Sequence, residues 1–169
     1  MIEASLGTLS KEDDSFAVRI ERQINAPIQK IWEALTSPEW LNCWLAEASV
    51  EPRLGGSIEV DFSSDGVDSE MRGIIRAWNP PHELEYTWDE TNSSESIVRF
   101  ELSEDGGATK LLMTHRLLAL PDVPNYGAGW HSHLDKLTEL VETGSSPTDF
   151  LTRYVDLRPT YVERAARLD

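Results

Sequence analysis

The sequence predicts an α+β fold in which one antiparallel sheet lies against a long C-terminal helix, and three observations predict it. From about residue 48 to 116 apolar residues recur at every second position, with turn chemistry at "RLGG", "SSDG", "NPP" and "SEDGG" between the runs. Each run is apolar on one face only, so the sheet needs a cover on its dry side. A later segment supplies that cover, because Trp130, Leu134, Leu137 and Val141 recur at helical spacing.

Taken in order, residues 1–15 show no period and carry the charged "KEDD", which reads as a flexible N-terminal arm. The first strand is expected in "FAVRIERQI", where Phe16, Val18, Ile20 and Ile24 share a parity; Arg22 is the polar exception and points inward or caps the core edge. Two short helices follow. In "NAPIQKIWEAL", Pro27 stands at a first-turn position before Ile28, Ile31, Trp32 and Leu35; in "TSPEWLNCWL", Ser37 is the N-cap and Pro38 the first helical residue. Cys43, in the second of them, reads as a small packed hydrophobe.

Six more strands are expected, making seven. The inward sets are Ile58, Val60 and Phe62; then Met71, Gly73, Ile75 and Ala77; then Leu84, Tyr86 and Trp88; then Val98, Phe100 and Leu102. In "KLLMTHR" the inward set is Leu111, Met113 and His115, and Trp78 belongs to the outer parity. The long helix should run from about Gly127 to Thr143 and stop at Gly144. Residues 145–169 form a helical extension that starts near Ser146 and Pro147 and is broken or kinked at Pro159. This tail either covers a sheet edge, plugs a pocket or pairs with a second copy as a homodimer.

At 169 residues the chain suits one domain, here residues 16–144 with its two extensions. With 30 acidic against 15 basic residues, a net charge of −15, it is not expected to bind nucleic acid or anionic membranes. A single cysteine excludes an internal disulfide and a multi-thiolate zinc site. No leader pattern or membrane-length apolar run is visible, so a cytoplasmic location without membrane insertion is expected.

The stretch "GWHSHLDKL" carries two histidines two residues apart. On a helix these point about 200° from each other, so His131 and His133 cannot close on one ion, and no metal is expected. His133 falls on the buried side, and His131 on the outer side with Asp135 and Glu142. His115 and His133 are the candidate acid/base residues if the protein catalyses anything. No nucleophile elbow, phosphate-cradling loop or HExxH motif is present, and no cofactor is expected. The six tryptophans, at 32, 40, 44, 78, 88 and 130, suit either ligand stacking or core bulk.

The order of elements, carrying "INAPIQKIWEALTSPEWLNCW", "PPHELEYTW", "TKLLMTH" and "GWHSHLDKL", resembles the SRPBCC (START/Bet v-like) superfamily over residues 16–144. Within it the chain resembles the branch of activator of heat-shock protein 90 ATPase homologue-like proteins. The resemblance implies a helix-grip fold, a curved seven-stranded antiparallel sheet wrapped around the long helix with an apolar cavity between them. It implies that the inward set lines that cavity: Arg22, Trp32, Trp44, Val60, Phe62, Met71, Ile75, Tyr86, Trp88, Phe100, Met113, His115, Trp130, His133, Leu134 and Leu137. The implied function is binding of a small hydrophobic, aromatic or lipid-like ligand. The alternatives are a cyclase- or hydrolase-type enzyme using His115 or His133, and an interaction protein that stimulates a chaperone ATPase.

Overall fold

A computed structural model of the chain describes residues 6–91 and 94–168. A first hairpin joins β1 (Thr8–Glu12) to β2 (Ser15–Ile24), and the two short helices α1 (Ile28–Thr36) and α2 (Pro38–Trp44) follow. Six strands then run in succession: β3 (Glu47–Val50), β4 (Ser57–Asp61), β5 (Glu70–Asn79), β6 (Glu83–Glu90), β7 (Ser96–Asp105) and β8 (Ala108–Leu118). The long helix α3 (Val123–Thr143) and a further helix α4 (Phe150–Ala165) come last. The strands form one sheet in the order β1-β2-β8-β7-β6-β5-β4-β3, and each neighbouring pair is antiparallel.

This is the expected helix grip with one strand more than the seven read from periodicity. The extra strand comes from the segment read as an arm: Thr8 to Glu12 pair along β2, and Leu9 packs on the core. Without β1 the outer edge of β2 would present unpaired backbone groups. Residues 1–5 of the expected arm lie outside the described residues.

On the dry face, Val18, Ile20, Tyr86, Val98, Phe100, Leu111 and Met113 are buried in one cluster with Leu134, Leu137 and Val141 of α3. Each such side chain contributes about 1.5–3 kcal/mol by leaving water. The wet face instead carries Arg99 among Glu83, Glu85 and Glu101, with Arg116 also on Glu85. In α2 the buried side holds Leu41 and Trp44; Cys43, two residues after Leu41, turns to the opposite side and is exposed, against the expectation of a packed thiol.

β5 breaks strict alternation. Ile75 pairs with Tyr86 but Ala77 pairs with Glu85, so Arg76 is an extra, bulged residue and everything after it changes face. Ala77, expected inside, therefore stands opposite Glu85. Trp78, expected outside, stands opposite buried Leu84 and packs edge-on against Trp32, with ring centroids 5.2 Å apart.

The long helix begins four residues before the expected start, with Pro124 in its first turn, and ends at Gly144, whose φ of 87° is the left-handed stop that glycine favours. α4 starts at Phe150 rather than near Ser146, because the Asp149 side chain caps it by accepting from the Thr152 N–H. Pro159 does not break it. The bond that Pro159 forfeits is to the carbonyl of Val155, and both residues lie on the exposed side, where water can serve.

α4 packs along the outer side of α3. Gly127 makes the approach possible, since a Cβ there would lie 2.5 Å from Cδ1 of Tyr161. The Tyr161 hydroxyl accepts from the Gly7 N–H at 2.7 Å and pairs with Nδ1 of His131 at 2.9 Å, so α4 ties the residue before β1 to α3. His131 is thus fully buried, not on an open outer face, because the helix that covers it is the C-terminal extension. Asp135 joins the same contact, accepting from Arg22 at 3.2 Å and Arg153 at 2.9 Å.

Candidate functional site

The sheet-facing period of α3 continues toward its N-terminus as Tyr126, Trp130 and His133. Leu134 and Leu137 meet the packed sheet, but these three reach past it to where β6 ends at Trp88 and Glu90 and where Phe62 and Val67 flank the β4–β5 connection. The first turns of α4, with Phe150, Leu151 and Tyr154, stand on the other side. Between them lies a cleft of about 360 Å³, completed by Thr91, Asp122, Asn125 and Gly129.

Its walls are aromatic and well ordered relative to one another. Trp88 meets Trp130 at 5.2 Å and 62° and Tyr126 at 6.4 Å and 89°, while His133 stacks on Phe150 at 4.1 Å and 20°. Edge-on and offset arrangements of this kind are the favoured ones. Phe150 also stacks with Tyr154 at 5.8 Å, so the wall runs onto α4.

The polar groups are few and held. Glu90 Oε1 accepts from the Trp88 indole N–H at 2.8 Å and from the Tyr126 hydroxyl at 3.1 Å, and Oε2 accepts from the Ser69 hydroxyl at 2.9 Å. Asn125 Oδ1 accepts from the Tyr154 hydroxyl and from Arg158. His133 Nδ1 lies 3.0 Å from the Trp44 carbonyl, which can only accept, so Nδ1 carries the proton and Nε2 keeps a lone pair. Nε2 has no hydrogen-bond partner among the described residues. Burial pushes the His133 imidazole down to about 3, so the ring stays neutral.

His115 stands behind the cleft wall and does not line it. The Trp130 indole N–H, a donor only, reaches His115 Nδ1 at 2.9 Å, so the proton sits on Nε2 and is donated to Ser96 Oγ at 2.7 Å. Ser96 in turn donates to the Trp88 carbonyl at 3.2 Å. Both ring nitrogens are committed, and burial pushes the group down to about 3. His115 is a neutral prop that ties Trp88 to Trp130 and supports the Tyr126 ring, 4.4 Å away.

Of the residues expected to line a cavity, the structure brings Phe62, Trp88, Trp130 and His133 to the cleft. Val60, Met71, Ile75, Tyr86, Phe100, Met113, Leu134 and Leu137 are instead core residues away from it, because α3 and the sheet close on each other along most of their length. Trp32 pairs with Trp78 elsewhere on the core, Trp44 is buried with its indole bonded to the Ala34 carbonyl at 2.7 Å, and Arg22 reaches Asp135. Sequence reasoning missed Glu90, Tyr126, Gly129, Phe150 and Tyr154. Extending the helical period upstream of Trp130 would have found Tyr126, and Phe150 and Tyr154 share an i, i+4 face. Among the described residues, no group of three or more His, Cys, Asp or Glu side chains is placed to hold a metal ion, and no helix is long and apolar enough to cross a membrane.

A sheet gripping a long helix, with a cleft left at one end of the grip, defines the SRPBCC class of ligand-binding folds. The chain belongs to the family described as Activator of Hsp90 ATPase homolog 1-like protein, whose model matches residues 25–142. The crystal structure of CalU16 from Micromonospora echinospora superposes with a TM-score of 0.79 at 23% identity, covering 96% of this chain and 98% of that one. EF2215 from Enterococcus faecalis, a conserved protein of unknown function, gives 0.80 at 24% identity over 96% of this chain and 92% of that one. DynU16, a protein in the dynemicin biosynthetic locus, gives 0.69 at 27% identity over 80% of this chain and 49% of its own. No curated protein matches in sequence. α4 lies outside the family match, yet it supplies one wall of the cleft.

Proposed function

We propose that this protein binds a small aromatic or apolar molecule in the cleft between the end of β6, the N-terminal half of α3 and the start of α4. The observation that supports this most is the convergence of six aromatic side chains, from β6, α3, α4 and the end of β4, on open space while the rest of the dry face is solidly packed. A core that needed only bulk would close that space. Gly129 instead faces it, and a Cβ there would meet nothing within 4 Å, although glycine inside a helix costs about 1 kcal/mol relative to alanine. The volume falls at the lower end of the roughly 300–1,000 Å³ usual for small-molecule sites.

Binding is favoured over catalysis by the state of the histidines. His115 has no free nitrogen, and His133, with its pKa near 3, is a weak base at neutral pH. The test is a titration with naphthalenemethanol, followed by quenching of Trp88 and Trp130 fluorescence, on the unaltered protein and on Gly129→Leu. Saturable quenching that is lost in Gly129→Leu, with the circular dichroism spectrum retained, is the expected result. Equal binding by both proteins would place the site elsewhere.

A further inference from the structure

Resting on that binding reading, we propose that the cleft selects a positively charged ligand, an organic amine or ammonium group carried on an aromatic or apolar body. Three features of the lining carry this. First, among the described residues that line it the charged ones are carboxylates, Glu90 and Asp122, with neither Lys nor Arg. Second, the aromatic residues Trp88, Trp130, Tyr126 and Tyr154 line the same space, and the faces of such rings attract cations, most strongly when water is excluded. Third, the nine-tenths buried His133 offers Nε2 as an acceptor with no partner among the described residues, suited to a ligand N–H.

The Glu90 carboxylate is held in place by three donors: Trp88, Tyr126 and Ser69. Oε1 already accepts two bonds, while Oε2 accepts one and retains a lone pair. The positive end of α3 opens beside the cleft and would by itself favour an anion, but Asp122 occupies the cap position there and supplies the opposing charge. Two cations stand nearby without lining the cleft: Arg158 bonds Asn125, and Lys136, one turn along α3 from His133, exerts a repulsion that helps keep that ring unprotonated and that the two lining carboxylates oppose. An anionic headgroup entering this space would meet two carboxylates and a lone pair; an ammonium would meet complementary groups on each side.

The experiment compares naphthylmethylamine, naphthalenemethanol and naphthoate, which share one apolar body and differ in charge, by calorimetry at about 0.15 M salt, where the long-range pull of the −15 surface is largely screened. Each is titrated into the full chain and into Glu90→Gln, Asp122→Asn and Gly129→Leu. The amine should bind at least about tenfold more tightly than the alcohol, with naphthoate weakest. That preference should shrink several-fold in Glu90→Gln and in Asp122→Asn while the alcohol is unaffected, and Gly129→Leu should abolish binding of both. The alcohol or naphthoate binding as tightly as the amine would overturn charge selection and leave the apolar cleft standing. A preference unchanged in both carboxylate variants would overturn it too, by placing the attraction outside the cleft. Failure of all three probes to bind would overturn the binding reading itself, and charge selection with it.

Discussion

Exchanging Gly127 for alanine and exchanging Gly129 for alanine should affect stability differently, although both residues lie in the same turn of α3. On intrinsic helix propensity each exchange should stabilise by about 1 kcal/mol. At Gly129 nothing lies within 4 Å of the added Cβ, so that gain should appear undiminished. At Gly127 the Cβ would stand 2.5 Å from Cδ1 and 3.0 Å from Cε1 and Cγ of Tyr161, close to an ångström inside ordinary contact. The ring cannot swing away freely, because its hydroxyl is bonded to Gly7 and His131. Overpacking of this kind costs about 1–3 kcal/mol, so the alanine at 127 should be neutral to destabilising and the two variants should differ by about 1–3 kcal/mol. For a chain of this size that separates their melting temperatures by at least about 2 °C. Thermal melts read it globally, and hydrogen exchange on the α4 amides reads it locally. Equal stabilisation of both variants, with α4 equally protected, would refute the argument that Gly127 exists to admit Tyr161.

Three further outcomes are expected. His115, His131 and His133 are held neutral in the fold at about 3, 4 and 3, mainly by burial, whereas in the unfolded chain they titrate near the ordinary value of about 6.5. Below that value the unfolded state takes up protons the native state refuses, so this stability is full above about pH 6.5. It falls as pH drops toward 4, by up to about 1.4 kcal/mol per pH unit for each histidine; urea midpoints equal at about pH 7.5 and 5 would contradict it. Ser96→Ala should cost about 1–3 kcal/mol by leaving the His115 Nε2–H without its acceptor, and nitrogen NMR of the unaltered protein should show the Nε2–H tautomer. Asp135→Asn weakens the junction of Arg22, His131 and Arg153 and should destabilise by about 2 kcal/mol, less than for a fully buried pair because Asp135 is 22% exposed. Its first sign should be faster proteolytic nicking between Gly144 and Asp149, and an unchanged cleavage rate would count against α4 being held by that carboxylate.

Much of this architecture is written in local pattern. A strand exposes its two faces with a period of two and a helix buries a stripe with a period of 3.6, so the strands from Ser57 to Leu118, the α1–α2 pair and the helix ending at Gly144 follow from which residues repeat. The inward placement of Leu111, Met113 and His115 follows in the same way. Parity states which way a side chain points but not whether the facing layer reaches it, and that distance separates packed Leu134 and Leu137 from cleft-lining Trp130 and His133. Only the tertiary structure decided four things. A bulge at Arg76 moved Trp78 to the inner face, since one inserted residue reverses every later side chain. Pairing with the exposed edge of β2 turned residues 8–12 into a strand. Docking of α4 buried His131 and added Phe150 and Tyr154 to the cleft, through contacts between residues 17 and 30 positions apart. The tautomers of His115 and His133 were set by a tryptophan donor on one and a carbonyl acceptor on the other, partners that come together only when sheet and helices close.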